Sequence, residues 1–393
     1  MKYDKLLTAA EKIHVAFLRI LTVLLTLTMW LMAAEGIFTG YRWIRYGASL
    51  FGIVLLVVFS LLYVGFQCLL VWLSILCRRL RIAKRVVVWT FMWIPVVNFG
   101  LALYVRGLAR QEIDHTLYKI NLDNVRAEAG ICGTAYPLLM VHGVGFRDFR
   151  YFNYWGRIPR ELVRNGAKVY YGHQEAWGTV ESNARILKEK IWEIQRETGC
   201  GKVNIIAHSK GGLDSRYLIS ALDMAEAVAS LTTINTPHQG SMLVDLLKGL
   251  PDGFYRMVCR WIDQYFGRLG DQCPDAYRAS YQLSAAYARE FNQNFPDVAG
   301  VYYQSYGSIM KSGFGSKLLC VPYWVLKLVD GPNDGLVTDR SAVWTNFKGV
   351  LTSSGLRGIS HGDMIDLTRE DYQGFDVLEF YVKLVEELKQ MGF

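Results

Sequence analysis

The ten residues VNIIAHSKGG, from Val203 to Gly212, decide the fold of this chain. Their first half, Val203 to Ala207, is a short apolar and β-branched run of the kind that fills a buried parallel strand. A tight turn follows, and the stretch from Leu213 to Leu222 then predicts a helix. Ser209 stands at the apex of the turn. This pattern of strand, turn and helix predicts an α/β fold built on a mostly parallel sheet flanked by helices.

The residues around Ser209 fit the turn known as the nucleophile elbow. In that turn a strained backbone holds the serine oxygen above the sheet, while strand and helix pass closely on either side. Small residues are therefore needed two positions before and two positions after the serine. Ala207 and Gly211 occupy those positions; glycine is standard at the first, and alanine is the next smallest residue. Ser209 is the predicted nucleophile of an α/β-hydrolase, and an ordinary loop serine is the competing interpretation.

The base that activates this serine is predicted from chain order. A serine hydroxyl needs a base, usually histidine, and α/β-hydrolases carry their triad in the order serine, acid, histidine. Of the seven histidines, only His361 follows a candidate acid close to the C-terminus. It lies in GISHGDM, between small residues, as a loop-borne base requires. A surface loop histidine is the alternative.

The predicted acid is Asp334, in the sequence GPNDGLVT. Glycines and a proline mark a turn there, and a carboxylate on a tight turn after a strand can reach the histidine. Asp330 is the rival, and a purely turn-forming role for Asp334 is the other interpretation. Asp363 follows the histidine and fits the order less well.

A second glycine-rich turn predicts the oxyanion hole. The sequence PLLMVHGVGF, Pro137 to Phe146, is an apolar strand that ends in His-Gly-Val-Gly. Glycines there let backbone N–H groups approach a developing oxyanion. The predicted donors are the amides of Val144 and Lys210, and His142 is then structural. A phosphate-binding loop is disfavoured because neither GxxxxGK nor GxGxxG spacing is present.

The first 110 residues predict a membrane region with about three hydrophobic segments, at 15–34, 48–77 and 86–105. Only Arg19 interrupts the first, and the other two carry no charge. Each is long enough for a helix of about 20 residues to cross the hydrocarbon layer. A cleaved signal peptide competes for the first segment. Pro95 and Asn98 leave open that the third is re-entrant or lies on the surface.

Charge predicts the orientation of this region. Residues 1–130 hold 15 Lys and Arg against 7 Asp and Glu, whereas the rest of the chain holds 28 of each. The excess therefore accompanies the hydrophobic segments, which disfavours nucleic acid as a partner. Five basic residues crowd the link between the second and third segments and place it in the cytoplasm: Arg78, Arg79, Arg81, Lys84 and Arg85. Three full crossings then predict an extracytoplasmic catalytic domain, and a re-entrant third segment predicts a cytoplasmic one.

Six segments together resemble the bacterial triacylglycerol lipases, in the order that family shows: HGVGF, YFNYWGRIPRELVRNGAKVYYG, AHSKGGLDSRY, TTINTPHQGS, NDGLV and SHGD. The resemblance covers roughly 134–390. It implies the triad Ser209, Asp334 and His361, the oxyanion amides of Val144 and Lys210, and a mobile lid at 241–281. Apolar residues recur there at near-helical spacing, although a helix packed permanently on the core would show the same stripe. The predicted organisation is a membrane region at 1–110, a linker at 111–131 and an α/β-hydrolase domain with a helical lid at 132–393.

The resemblance also raises the question of metals. Many of these lipases hold a structural calcium near the histidine, and Asp363 occupies a matching position, but no upstream aspartate partner is evident. The zinc site of one branch lies in an insertion that this chain lacks. No cofactor is expected to be required. The seven cysteines show no metal spacing, and a bridge between Cys259 and Cys273 is left open.

The sequence therefore predicts a membrane-anchored serine hydrolase, in the plasma membrane of a bacterium, that cleaves acyl esters of glycerolipids. Phospholipase, short-chain esterase, thioesterase and acyltransferase activities use the same triad and stay open. A non-catalytic membrane-tethered binding protein is the remote alternative, and it predicts loss of a triad residue. No obligate protein partner can be inferred.

Overall fold

The computed structural model describes residues 2–80, 82–127, 130–146, 153–372 and 374–393. Arg81 of the basic link and the first two residues of the YFNYWG segment thus lie outside the described residues. The chain divides into two compact units, 1–128 and 129–393. The predicted connecting segment 111–131 is largely helical, because one helix continues through it to Ala127.

The N-terminal unit is helical. It consists of α1 (Lys2–Tyr46), α2 (Leu50–Leu76), α3 (Ile82–Phe91) and α4 (Val97–Ala127). Two of these helices are long and apolar enough to cross a membrane, namely the part of α1 from Ala9 to Tyr46 and the whole of α2. The first lies near the N-terminus, where a signal sequence meets the same criteria.

The predicted third segment, 86–105, is not one helix. Its residues fall on α3, a break and α4. Pro95 explains the break, since its ring has no N–H to donate and clashes with the preceding helical turn. Val96, immediately after it, has a φ of 73°. That value lies in the left-handed region, which a β-branched residue rarely adopts.

The C-terminal unit is built on a six-stranded sheet in which every neighbouring pair is parallel, in the order β2-β1-β3-β4-β5-β6. The strands are β1 (Leu138–Val141), β2 (Val169–Tyr171), β3 (Val203–His208), β4 (Val228–Ile234), β5 (Tyr302–Ser308) and β6 (Phe347–Leu351). The remaining helices are α5 (Ile158–Arg164), α6 (Val180–Thr198), α7 (Lys210–Ala221), α8 (Met242–Lys248), α9 (Asp252–Arg268), α10 (Ala276–Tyr281), α11 (Ala285–Asn294), α12 (Cys320–Val329) and α13 (Val377–Gln390). Short 3₁₀ turns lie at Ala225–Ala227, Gly313–Gly315 and Asp363–Ile365.

Both faces of the sheet are covered. Alternate residues of a strand point to opposite faces. Leu138 and Met140 of β1 accordingly pack with α5 and α13, whereas Leu139 and Val141 pack with α6 and α7. This two-sided burial explains why the central strands read as continuous apolar runs. The predicted fold, a parallel sheet flanked by helices, is confirmed.

Candidate active site

Ser209 stands between β3 and α7 in a strained backbone conformation. Its φ and ψ are 55° and −132°, a region that residues with a side chain rarely occupy. Backbone bonds hold the turn: the amide of Ser209 donates to Ile234 O at 2.9 Å, and the Thr236 hydroxyl donates to Ser209 O at 2.8 Å. Gly211 is required, because a Cβ there would lie 2.8 Å from Val141 O and would also meet His142 O. These features form the elbow expected from the small residues around the serine.

The structure brings His361 and Asp334 together. The His361 Nδ1–H donates to Asp334 Oδ2 at 2.7 Å, and the His361 amide donates to the Asp334 carbonyl at 2.9 Å. The other carboxylate oxygen, Oδ1, accepts from the amides of Leu336 and Val337 at 2.9 and 2.8 Å. Asp334 is 1% exposed. This carboxylate is therefore fully used in fixing the imidazole and its own turn.

His208, the residue before the predicted nucleophile Ser209, packs its ring against that of the predicted base His361. The ring centroids of His208 and His361 lie 4.4 Å apart. His208 is itself held by Tyr154, whose hydroxyl lies 2.7 Å from Nδ1. Burial, followed by the charge of His361, lowers the pKa of His208 well below its ordinary value. A neutral ring therefore packs against His361. Sequence reasoning assigned no role to His208 or Tyr154, although the position of His208 beside the serine was a usable signal.

The glycine-rich turn after β1 lies against the same serine. A Cβ on Gly143 would come 2.8 Å from Ser209 Cβ and 3.3 Å from Ser209 Oγ. Val144 follows in that turn, and Lys210 is the first residue of α7. Amides of the first helical turn have no carbonyl partner within the helix. Both predicted oxyanion donors thus belong to segments that adjoin Ser209.

Lys210 also carries a buried ion pair that the sequence did not indicate. Its Nζ donates to Asp214 Oδ1 at 2.6 Å, and both side chains are 1% exposed. Asn183 Nδ2 donates to the other Asp214 oxygen at 3.0 Å. Burial raises the pKa of Asp214, while Lys210 and Asn183 act in the opposite direction. A lysine four residues before an aspartate on a helix was the available signal.

Comparison with known proteins gives the family. "Triacylglycerol lipase 2" of Saccharomyces cerevisiae is 30% identical over 261 residues, which span 61% of this chain and 74% of that protein. The chain belongs to the triacylglycerol lipase family. A triacylglycerol lipase of Burkholderia plantarii is 32% identical over 234 residues, 56% of this lipase and 60% of the relative. A scan against protein-family models finds no match.

The fold comparison agrees. A metagenomic carboxyl esterase superposes with a TM-score of 0.51 at 18% identity, covering 65% of this lipase and 76% of the esterase. The chain is a lipase-type carboxylic ester hydrolase of the serine hydrolase class, with an α/β-hydrolase fold. Its relatives imply acyl-ester substrates.

Asp363, the calcium candidate, has both carboxylate oxygens occupied in this lipase. Arg357 Nη2 donates to Oδ1 at 2.7 Å and the Ser360 amide donates to Oδ2 at 2.8 Å. Within the described residues, no group of three or more His, Cys, Asp or Glu is placed to hold a metal ion. Lipases of this type generally need no cofactor. Cys259 and Cys273 are both free thiols, the first buried and the second exposed.

Two other histidines of the lipase are used inside the fold. His238 contacts Thr233 Oγ1 at 2.9 Å and stacks on Trp344 with centroids 5.3 Å apart. His142 has its ring nitrogens 2.8 and 2.9 Å from the carbonyls of Gly143 and Gln174. Both rings are therefore engaged within the fold.

The predicted lid, 241–281, contains α8, α9 and α10. Much of its apolar stripe faces outward: Met242, Leu246, Leu247, Leu250, Phe254, Met257 and Trp261 are exposed. Tyr255 and Cys259 face inward, and the Tyr255 hydroxyl donates to Ser280 Oγ at 2.7 Å. This segment therefore presents apolar side chains on both its outer and its inner side.

Proposed function

We propose that Ser209, His361 and Asp334 hydrolyse esters by two-step acyl transfer. Ser209 Oγ attacks the ester carbonyl while His361 Nε2 accepts its proton, and Asp334 holds the ring in the tautomer that leaves Nε2 free. The same proton then passes to the leaving alcohol. Water attacks the acyl-enzyme by the reverse route and releases the acid. The observation that carries this proposal is the strained Ser209 turn with the His361–Asp334 pair packed beside it through His208.

The amides of Val144 and Lys210 complete the proposed mechanism as the oxyanion hole. They belong to two segments that approach Ser209 from different sides, the turn after β1 and the first turn of α7. Preorganised backbone donors stabilise the negative charge that develops on the carbonyl oxygen. The buried Lys210–Asp214 pair anchors the second donor's residue from its side chain.

The test compares Ser209→Ala with wild type in detergent, using p-nitrophenyl esters from short to long acyl chains. We expect a loss of several orders of magnitude in kcat. Ser215→Ala is the matched control, because it lies in the same helix and loses only a hydroxyl bond to Gly211 O. Equal activity of wild type and Ser209→Ala would exclude Ser209 as nucleophile. Hydrolysis that falls with chain length would favour a small-ester esterase over a lipase.

Long-chain acyl esters of glycerolipids are the proposed substrates. Relatives named as triacylglycerol lipases and an outward apolar lid support this class. The two long apolar helices of the N-terminal unit support a lipase that meets its substrate at a membrane.

The proposed membrane placement follows from α3, the break and α4. Arg79, just after α2, donates its backbone amide to Glu112 Oε2 of α4 at 3.2 Å, and His14 of α1 lies 2.8 Å from Glu112 Oε1. The break, in contrast, lies beside the middle of α2: Gln67 Nε2 donates to Met92 O at 2.8 Å. The chain thus enters at the end of α2, turns at half its length and returns to the entry face. This is the re-entrant alternative for the third segment.

Polar side chains of α2 make such a turn compatible with a bilayer. Carbonyls freed by a helix break need partners inside the hydrocarbon layer. Gln67 supplies one for Met92 O, and the Tyr63 hydroxyl donates to Trp93 O at 3.3 Å. Asn98 Nδ2 in turn donates to Tyr63 Oη at 3.3 Å. We propose two crossings and a hairpin, which places the end of α4 on the face of the basic link, the cytoplasmic one.

Labelling with an impermeant maleimide tests this placement in intact bacterial spheroplasts. Cys273 is an exposed thiol of the catalytic unit. We expect no labelling of Cys273 until the cells are permeabilised, with Cys273→Ser identifying its signal. An Ala48→Cys variant, in the turn between α1 and α2, is expected to react in intact cells. Labelling of Cys273 in intact spheroplasts would instead support an extracytoplasmic catalytic domain.

A further inference from the structure

A second apolar surface of the catalytic unit lies outside the lid. It is formed by the outer face of α12, the Gly313–Gly315 turn and the loop that carries Leu356. Its exposed fractions are high: Phe314 86%, Leu318 73%, Val321 73%, Trp324 47%, Leu328 85% and Leu356 90%. We call this set the α12 face.

Helix α12 buries one of its sides and exposes the other, which belongs to the α12 face. Tyr323 and Leu326 of α12 are buried with Met310 and Leu319. Val321, Trp324 and Leu328 recur at intervals of three and four residues on the opposite side of the helix, where a soluble protein normally places polar residues. The helix therefore buries one apolar face in the protein and presents another to its surroundings.

Packing joins the three parts into one surface. Trp324 lies against Gly313, so that a Cβ there would be 2.9 Å from Trp324 Cδ1. Arg357 Nε donates to Gly315 O at 2.8 Å, and the Lys311 amide donates to Arg357 O at 3.1 Å. Leu356 is thereby held beside the 3₁₀ turn. The surface is also continuous with the lid, because α12 packs against α8.

Charge around the α12 face is mainly basic, and Asp330 stands at the C-cap of α12. Residues 298–329 contain Lys311, Lys317 and Lys327 and no aspartate or glutamate. All three lysines are exposed, and in the described part of the chain none of them pairs with a carboxylate. Apolar side chains with Trp among them, fringed by lysines, are what a protein segment needs to lie in the interface of an anionic bilayer.

We propose that the α12 face docks on the surface of an anionic lipid bilayer. The lysines contact lipid phosphates while Phe314, Leu318 and Leu328 enter the acyl boundary. This contact holds the lid side of the catalytic unit against the membrane in which the N-terminal helices are embedded. The functional role of this docking rests on the proposed lipid substrate, although docking itself requires no catalysis.

Depth-dependent quenching tests the proposal in the full chain. A fluorescent label is placed on Leu328→Cys, after Cys68, Cys200, Cys273 and Cys320 are changed to Ser. The matched label is on Val163→Cys, an exposed apolar position on α5. In vesicles containing anionic lipid and nitroxide-labelled phosphatidylcholine, we expect several-fold stronger quenching at 328 than at 163, and weaker quenching at 328 in neutral vesicles. Equal quenching at both positions would overturn the proposal. A blue shift at 328 without quenching would also overturn it, because another protein surface would then cover the face.

Activity supplies the second readout. Val321→Asp combined with Leu328→Asp is expected to reduce hydrolysis of a long-chain ester in anionic vesicles about tenfold, since charged residues are expelled from the interface. Hydrolysis of water-soluble p-nitrophenyl butyrate is expected to stay within twofold, and Val163→Asp is expected to change neither rate. Unchanged long-chain hydrolysis in the double variant would contradict docking. Failure of wild type to cleave butyrate would contradict the proposed function and leave the quenching result standing.

Discussion

Asp334 and Asp330 stand four residues apart, and their surroundings separate their roles. Asp334 binds His361 Nδ1 and two amides, whereas Asp330 follows α12 as its C-cap. In Asp334→Asn the amide retains an oxygen for the backbone donors but cannot fix the catalytic tautomer. We expect kcat to fall roughly 10³- to 10⁴-fold with the thermal midpoint changed little. Asp330→Asn is the matched control and should keep near wild-type kcat; the reverse result would identify the rival acid.

Gly211 permits the close passage of α7 across β1. A Cβ at this position meets the carbonyls of His142 and Val141, and backbone atoms cannot rotate away. Gly211→Ala is therefore expected to destabilise the protein by about 1–3 kcal/mol and to lower kcat by displacing Ser209. Gly253→Ala in α9 is the control, since no atom lies within 4 Å of a Cβ there. The measurements are the thermal midpoint and the rate of butyrate hydrolysis. If Gly211→Ala changes neither, the elbow accommodates a Cβ at this position.

At the scale of elements, one ion pair joins the start of α5 to the turn after His361. Arg157 donates through Nε and Nη2 to Asp366 at 2.8 Å each, and its backbone amide donates to Asp366 at 2.8 Å. Burial opposes the charged form, but Asp366 and Asp371 outweigh it and raise the pKa of Arg157. The Asp366 side chain is 1% exposed, while that of Arg157 is 33% exposed.

Breaking this pair should affect both stability and the loop of the base. Asp366→Ala removes the acceptor of the Arg157 amide, of Nε and of Nη2, while Nη1 keeps its pair with Asp371. We expect a loss of about 3 kcal/mol, near the low end for a buried pair because Arg157 is partly solvated. kcat is expected to fall, since the Asp363–Ile365 turn lies between His361 and Asp366. Arg256→Ala breaks a fully exposed pair with Asp252 and should alter neither quantity. Differential scanning fluorimetry and ester hydrolysis measure the two effects.

The elements that the sequence predicted are those in which local pattern and tertiary demand agree. Val203 to His208 reads as a buried strand because both faces of the sheet are covered, and chain order led to His361 and Asp334. The path of the third hydrophobic segment could not be predicted, because hydropathy measures only apolar character. Hydropathy contains no information on the change of chain direction at Pro95 and Val96. It also does not indicate that Gln67 and Tyr63 donate hydrogen bonds to backbone carbonyls at this break. The Arg157–Asp366 and Tyr154–His208 contacts join distant segments, so no local pattern could indicate them.

At the scale of the whole molecule, positive charge is distributed unevenly along the chain. All the excess positive charge lies in the first 130 residues, and the catalytic unit is balanced overall. Within that balanced unit, residues 298–329 nevertheless contain three lysines and no aspartate or glutamate. The sequence predicted the first asymmetry from simple counting. Whether the second borders an exposed apolar face depends on which side of α12 is buried, which only the packing of Tyr323 and Leu326 decides.

Buried histidines set how the stability of the whole fold responds to acid. Burial, and then the charges of His361 and Arg216 respectively, lower the pKa values of His208 and His238 well below the ordinary range. The unfolded chain takes up protons at these histidines below a pKa of about 6.5, whereas the folded protein does not. Their contribution is therefore complete above that pH and is lost as the pH falls through it. At pH 5.5 the fold is therefore expected to be less stable than at neutral pH.

The thermal midpoint of the protein is therefore expected to fall between pH 7.5 and pH 5.5. Asp214 acts in the opposite sense, because burial raises its pKa, so a variant that isolates one histidine is the sharper measurement. His238→Gln keeps a polar group between Thr233 and Arg216 but cannot bind the proton, and it should reduce the pH dependence. If His238→Gln shows the same slope as wild type, the pKa of His238 does not change on folding, and the acid sensitivity must come from groups other than this buried ring.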